Sequence, residues 1–205
     1  DTKAYNGSEQ SVSGYTPEGL EAPEATVVLK EGKEAVAKGT EASSDKYMMG
    51  LTKDDFVIME GDKDATSNYE ITYTDGSLVI TPLDGVAVVT ANDAGYTYDG
   101  TAKGGNGATA EGLLEGHRLE EVEVSGSQTD AGTYPNELVP SNAKIVDEAG
   151  NDVTGNYANI SYVRGTLTIN KKAVAIAGNT DTKAYNGSEQ SVSGYTPEGL
   201  EAPEA

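Results

Sequence analysis

His117 is the only imidazole in the sequence, and so the one side chain whose ordinary pKa suits proton transfer near neutrality. A catalytic triad or a His-metal site would need partners at set geometry, and the neighbouring sequence offers only carboxylates. The residue closes the segment Gly112-Leu113-Leu114-Glu115-Gly116-His117, so a structural role in a turn is expected. Asp62, Asp64, Thr66 and Asn68 alternate like the first half of a calcium loop. Ser67 stands where that loop needs Gly, and Tyr73 where it needs Glu. Asp147, Asn151 and Asp152 form a second oxygen-rich turn at the equivalent place. Calcium is the one cofactor these five residues, Asp62, Asp64, Asp147, Asn151 and Asp152, bring forward. Solvated turns before strands are the expected reading.

The carboxylate pairs Glu120-Glu121 and Asp54-Asp55 do not suit glycoside chemistry. Adjacent residues on a strand point to opposite faces and cannot flank one bond. Tyr69, Tyr73, Tyr157 and Tyr162 sit at period 2 beside Ile and read mostly as half-buried core. Tyr15 and Tyr195, each within Gly-Tyr-Thr-Pro, are the better candidates for an exposed ligand contact. No catalytic set emerges, and the chain is not expected to be an enzyme.

Composition narrows the classes further. The 205 residues carry 34 acidic and 14 basic side chains, a net charge of −20. That excludes a basic nucleic-acid surface and argues against docking on anionic lipid. There is no Cys, so disulfides and thiolate sites are excluded. The apolar share, 36%, is below the globular norm, so each core is expected to be small. No apolar run approaches the roughly 18–20 residues of a membrane-spanning helix, so no membrane insertion is expected in this window.

Repetition organises the chain. Residues 1–25 and 181–205 are identical, at an offset of 180. Inside that period Tyr5-Asn6-Gly7 matches Tyr98-Asp99-Gly100 and recurs as Tyr185-Asn186-Gly187. Asn68-Tyr69 matches Asn156-Tyr157, and Gly76-Ser77-Leu78-Val79-Ile80 matches Gly165-Thr166-Leu167-Thr168-Ile169. The period is two diverged modules of about 90 residues. The expected domains are 1–83, lacking its opening strand; 84–171; and 172–205, the opening part of a third module. The junctions Pro82-Leu83-Asp84-Gly85 and Asn170-Lys171-Lys172 are too short for flexible linkers.

The fold class is all-β: tandem small modules, elongated. Alternation predicts strands at 69–74, 77–81, 86–90, 160–163, 166–170 and 173–177, with further strands at 26–29 and 120–124. Asp75-Gly76 and Arg164-Gly165 predict two hairpin turns. One extra residue between Tyr157 and Ile160, relative to Tyr69 and Ile71, suits a bulge or a longer entry loop. Helical signal is confined to a turn over Leu51–Phe56, with Thr52 as cap.

The Tyr-(Asp/Asn)-Gly start, the Gly112–His117 segment, Gly126-Ser127-Gln128-Thr129-Asp130-Ala131-Gly132 and the ending Gly150–Tyr157 into Gly165–Ile169 resemble the MBG/YDG-type repeats of Gram-positive bacterial cell-surface proteins. The resemblance covers nearly all of 86–171. It is thinner over 1–81, which departs between Ala42 and Phe56. It implies an all-β module used in tandem in stalks, adhesins or extracellular fibres, at the cell surface or in the cell wall, with no catalytic residues. Its partners would be neighbouring copies of the repeat; a glycan or host-protein ligand is the alternative, as for an adhesin module. Some surface proteins of such bacteria cross-link Lys to Asn or Asp across strands, and no motif here names a pair.

The ends carry one more expectation. Asp1 falls just after the place of an opening strand whose counterpart is 173–177. Residues 173–205 hold that strand without a closing hairpin. A fragment that small cannot bury its own core, and an open module exposes an edge. Completion is expected either by neighbouring repeats of a longer chain or by strand addition between copies. The longer chain is favoured, because the identical end segments would otherwise compete for one place.

Overall fold

A computed structural model describes residues 1–20 and 25–200; residues 21–24 and 201–205, the last parts of the two identical segments, lie outside the description. The described chain is all-β, with strands and three 3-10 turns. In chain order the first strands are β1 (Thr2–Ala4), β2 (Gln10–Ser13), β3 (Ala25–Leu29), β4 (Val36–Gly39), β5 (Tyr47–Met48), β6 (Phe56–Glu60), β7 (Lys63–Asp64), β8 (Ser77–Thr81) and β9 (Leu83–Ala91). They are followed by β10 (Ala94–Thr97), β11 (Lys103–Gly104), β12 (Ala108–Glu111), β13 (Arg118–Ser125), β14 (Ser127–Gln128), β15 (Gly132–Val146), β16 (Tyr157–Val163), β17 (Gly165–Asn170), β18 (Ala175–Gly178) and β19 (Tyr195–Glu198). The chain forms two compact units. One holds 1–89, 110–122 and 142–161; the other holds 90–109, 123–141 and the described residues from Tyr162 onward.

In the first unit, β8 is the middle of a sheet ordered β1-β8-β5. Leu78 and Ile80, on one face of β8, are fully buried with Tyr5 and Ala37. The period-2 pattern of Gly76–Ile80 thus marks a true core strand. β6 pairs antiparallel with β3, from Ala25↔Glu60 to Leu29↔Phe56. Phe56 then packs with Ala35 and Leu51 in a second small core. A third forms from Ala87, Ile145, Val153 and Tyr157. Small separate cores are what the low apolar content leads to. In the second unit, Leu138, Leu167 and Ile169 are buried with Ala91 and Ala94. In that unit β10 pairs parallel with β17, which in turn pairs antiparallel with β15.

The two sequence repeats build one and the same parallel pairing. β1 lies against β8 with Thr2↔Val79, Lys3↔Ile80 and Ala4↔Thr81. β10 lies against β17 with Gly95↔Thr168, Tyr96↔Ile169 and Thr97↔Asn170. Laid on each other by their Tyr-(Asn/Asp)-Gly signatures, the two registers coincide. The next N–H continues both ladders: Tyr5 donates to the Thr81 carbonyl and Tyr98 to the Asn170 carbonyl, each at 2.9 Å.

The expected strands at 77–81, 86–90, 160–163, 166–170, 26–29 and 120–124 lie within β8, β9, β16, β17, β3 and β13. The one expected at 173–177 starts later, as β18. Both expected hairpins are corrected. Residues 69–76 are irregular, although 69–74 keep an alternation of half-buried and exposed positions. Their would-be partner β8 has both edges taken, by β1 and β5. Asp75-Gly76 instead anchors residues 49–51: the Asp75 carboxylate accepts the N–H of Gly50 at 2.9 Å and of Leu51 at 3.3 Å. Arg164-Gly165 is not a hairpin turn either, since β16 and β17 belong to different sheets. The chain switches sheets at Gly165, where an added Cβ would lie 2.7 Å from the Ala91 carbonyl oxygen.

The identical segments serve as an internal control. Local hydrogen bonds are the same in both: Ser8 N–H to Asn6 Oδ1 and Ser188 N–H to Asn186 Oδ1, each 3.0 Å; Gln10 Nε2 to the Ala4 carbonyl and Gln190 Nε2 to the Ala184 carbonyl, each 2.9 Å. Strands are not the same. Residues 2–4 and 10–13 are strands while 182–184 and 190–193 are not, and 195–198 is a strand while 15–18 is not. Tyr5 is 3% exposed and Tyr185 is 93% exposed. Turn chemistry is carried by the segment itself, and strand formation by the presence of a partner.

Leu78→Ala should destabilise the first unit by about 2–5 kcal/mol, as for other buried Leu truncations. Urea denaturation would measure it, and a loss below about 1 kcal/mol would contradict the core assignment.

Candidate functional site

Of the residues singled out by sequence, His117 and Tyr157 meet in the first unit. The 3-10 turn Thr154–Asn156 delivers Asn156 and Tyr157 in succession. Both are buried, at 3% and 6% exposure. The Tyr157 hydroxyl accepts the Leu114 N–H at 3.0 Å and lies 2.7 Å from His117 Nδ1. The hydroxyl keeps its proton and a second lone pair, so which of the two groups donates follows from the imidazole tautomer. The imidazole in turn is tilted against the Tyr5 ring, with centroids 6.1 Å apart. Burial raises the pKa of Tyr157; burial, then the nearby Glu41 charge, raises that of Tyr5. Asn156 accepts the Ala42 N–H at 2.7 Å through Oδ1 and donates through Nδ2 to the Glu41 carboxylate. The Glu41 carbonyl is held by the Tyr47 hydroxyl at 2.8 Å.

This arrangement ties together four distant stretches of chain, at Tyr5, Glu41–Tyr47, Leu114–His117 and Asn156–Tyr157. His117 takes part in it through the Tyr157 hydroxyl and the Tyr5 ring. Sequence reading passed over Asn156 and Glu41. They are more than a hundred positions apart, and nothing local marks them as partners. Glu41 and Ala42 stand at the edge of the stretch where the first repeat departs from the second.

The five calcium candidates fall in two stretches, 62–64 and 147–152, one in each sequence repeat. Thr66, with hydroxyl and N–H, holds the Asp64 carboxyl below its ordinary pKa, and Thr154 does the same for Asp152. The Thr66 hydroxyl accepts the Ile58 N–H at 3.0 Å, and the Thr154 hydroxyl accepts the Ile145 N–H at 2.8 Å. Each Asp thus starts the same 3-10 turn, a use of Asp and Thr that the repeat itself could have revealed. Asp147 accepts from the Asn151 amide at 2.9 Å and from its N–H at 2.8 Å. Asp62 is exposed in the turn between β6 and β7. Among the described residues no group of three or more His, Cys, Asp or Glu is placed to hold a metal.

The carboxylate pairs separate as strand and turn geometry require. Glu120 and Glu121 are exposed on β13. Asp54 is exposed, while Asp55 is buried and caps the short 3-10 turn Lys53–Asp55 by accepting the N–H and hydroxyl of Thr52 at 2.8 and 2.9 Å. This is the turn anticipated from Thr52. Lys33 Nζ lies 2.8 Å from Asp55. The bond to Lys33, then those to Thr52, lower the Asp55 pKa from 3.8 to about 2.

Among the candidate tyrosines, Tyr162 is exposed rather than half-buried. Tyr195 is 68% exposed on β19. Tyr15 is less free than its loop sequence suggested. Its hydroxyl donates to the Val27 carbonyl at 2.9 Å and its ring meets Phe56 edge-on at 5.1 Å. Tyr15 lines a groove of about 620 Å³ whose walls are 14–20 and 69–74 and whose floor includes Val27, Phe56 and Ile58.

Comparison with known proteins finds no matching family model, no matching curated protein and no matching solved structure. No helix among the described residues is long and apolar enough to cross a membrane.

Tyr157→Phe should cost about 1–3 kcal/mol, because it leaves the Leu114 N–H and His117 Nδ1 without their shared partner. Thermal or urea unfolding checks this, and an unchanged midpoint would count against the cluster. A second outcome concerns pH. A carboxyl whose folded pKa is depressed adds stability above its ordinary pKa and loses it as pH falls through the folded value. The midpoint gap between the native chain and Asp55→Asn should therefore be widest above about pH 5 and close toward pH 2. Urea titrations across that range measure the gap; a constant one would refute the assignment.

Proposed function

We propose that this chain is a structural repeat region of a bacterial surface protein, built from tandem β modules of about 90 residues and serving as a stalk or an extracellular fibre. The observation that carries the reading is the repeated parallel pairing at one register, β1 on β8 and β10 on β17. The repeated Asp-x-Thr-x-Asn turn supports it. So does the 25-residue identity at an offset of 180, because a spacer gains length from copying. The resemblance to MBG/YDG-type repeats supplies the setting, at the surface or in the wall of a Gram-positive cell. The charge of −20 suits a protein kept apart from its neighbours in solution.

On this reading the chain acts by holding positions. Its conspicuous polar groups, His117, Tyr157, Asn156 and Asp55, are engaged in fixing loops.

Small-angle X-ray scattering tests the reading. A compact globule of this length has a radius of gyration of about 17 Å. A row of modules should give a value well above that, with no binding on a glycan array. A radius near the compact value, or specific glycan binding, would overturn the stalk in favour of a ligand-binding module.

A further inference from the structure

One turn occurs three times in the chain, twice with an amide and once with an acid. Asn6 Oδ1 accepts the Ser8 N–H at 3.0 Å, and Asn186 Oδ1 accepts the Ser188 N–H at 3.0 Å. At the equivalent place Asp99 Oδ1 accepts the Thr101 N–H at 2.9 Å. In each, a side-chain oxygen bridges to the N–H two residues on, across a glycine of positive φ: 79° at Gly7, 75° at Gly187 and 81° at Gly100. The turn is local, since residues 6–8 and 186–188 form it alike although the strands around them differ. The acid form carries a cation with it: Lys103 Nζ lies 2.5 Å from Asp99. At the matching position the first repeat has Gln10, whose amide donates to the Ala4 carbonyl at 2.9 Å.

Before glycine, an Asn side-chain amide meets the next main-chain nitrogen with least obstruction, because glycine has no Cβ. Asn6, Gly7 and Ser8 are exposed, and no acceptor among the described residues takes the Gly7 N–H. The bond from Ser8 folds the Asn6 amide back over the Gly7 peptide and keeps a donor on its oxygen. A third Asn-Gly, Asn106-Gly107, supplies the comparison. Asn106 is exposed as well, but among the described residues no N–H donates to its Oδ1.

We propose that Asn6-Gly7 and Asn186-Gly187 are self-modifying deamidation sites, in which the Ser8 or Ser188 N–H serves the reaction as an oxyanion donor. Hydroxide removes the Gly7 N–H proton, the nitrogen attacks Asn6 Cγ, and negative charge gathers on Oδ1. The N–Cγ bond forms, the Cγ–Nδ2 bond breaks, and the amide nitrogen leaves as ammonia with a proton from water. Water then opens the cyclic imide at one carbonyl or the other, leaving an aspartyl or an isoaspartyl residue. The net exchange is a water consumed and an ammonia released. A hydrogen bond to an ionised oxygen is about twice as strong as one to a neutral amide. The Ser8 donor is therefore tighter in the transition state than before it, which is what accelerates a reaction. Asp99 shows that an aspartyl residue keeps the turn. An isoaspartyl residue adds a main-chain atom just after Tyr5, whose N–H holds the Thr81 carbonyl at 2.9 Å. It also shifts Gly7, where a Cβ would already lie 3.7 Å from His117 Nε2 and from Leu114 Cδ1. Deamidation at position 6 thus reaches the Tyr157 cluster through its neighbours.

The test incubates the whole chain in mildly alkaline buffer and follows each Asn-Gly by peptide mass mapping, with isoaspartyl content read by a methyltransferase specific for it. Asn6 and Asn186 should convert about three to ten times faster than Asn106, the worth of one net hydrogen bond. In urea the turns are lost and the three rates should converge. Ser8→Pro removes the donor and should slow Asn6 toward the Asn106 rate, with Asn186 in the same molecule unchanged. Should Ser8→Pro fail to fold, the native chain with and without urea decides. Asn106 converting as fast as Asn6 in the folded chain would overturn the proposal. So would a rate ratio that persists in urea, or a folded Ser8→Pro chain in which Asn6 keeps its native rate.

Discussion

A β-strand exists where a second backbone answers its N–H and C=O groups, and this protein shows how strictly that holds. The same twenty residues occur twice in the described chain and fold differently, because their partners differ. Residues 2–4 are a strand against β8, and residues 182–184, identical to them, have no strand partner and are not one. An apolar side chain inherits its environment from that decision. Tyr5 is buried and Tyr185 is exposed, with the same neighbours in sequence. The small cores depend on it as well. Leu78 and Ile80 face inward because β1 and β5 hold β8 between them.

What sequence made legible is what is local. Alternation located β8, and Thr52 as a cap located the turn at Lys53–Asp55. Alternation states which residues share a face; it does not state which strand lies alongside. Residues 69–74 alternate as well as 77–81 do, yet only the second set has partners. An Asp-Gly or Arg-Gly between two alternating runs looks the same whether the chain doubles back or passes to another sheet. The parallel pairing of β1 with β8 spans most of a repeat, so no short window contains it. The site followed the same division. The turn chemistry of Asp64 and Asp152 was readable as turn chemistry. The bonds from Asn156 to Ala42 and Glu41 were invisible, since they join the conserved ending of one repeat to the divergent middle of another.

Divergence between the two repeats is therefore not noise about a common plan. The shared positions, Tyr-(Asn/Asp)-Gly, Asp-x-Thr-x-Asn and the closing Gly-x-Leu-x-Ile, set the parallel pairing and the 3-10 turn. Glu41 and Ala42, outside those positions, hold the next repeat by its Asn156.

The parallel register of β1 and β8 has a mechanical consequence. Tension that draws the chain before β1 one way and the chain after β8 the other acts along both strands in opposite senses. For parallel strands this is shear. The rungs between Thr2–Ala4 and Val79–Thr81, with the Tyr5 N–H beside them, carry the load together. A hairpin pulled from its open end would surrender them one after another, like a zip. β10 and β17 repeat the geometry. Under force, resistance is then set by the simultaneous rupture of a short ladder, a property of direction rather than of total stability.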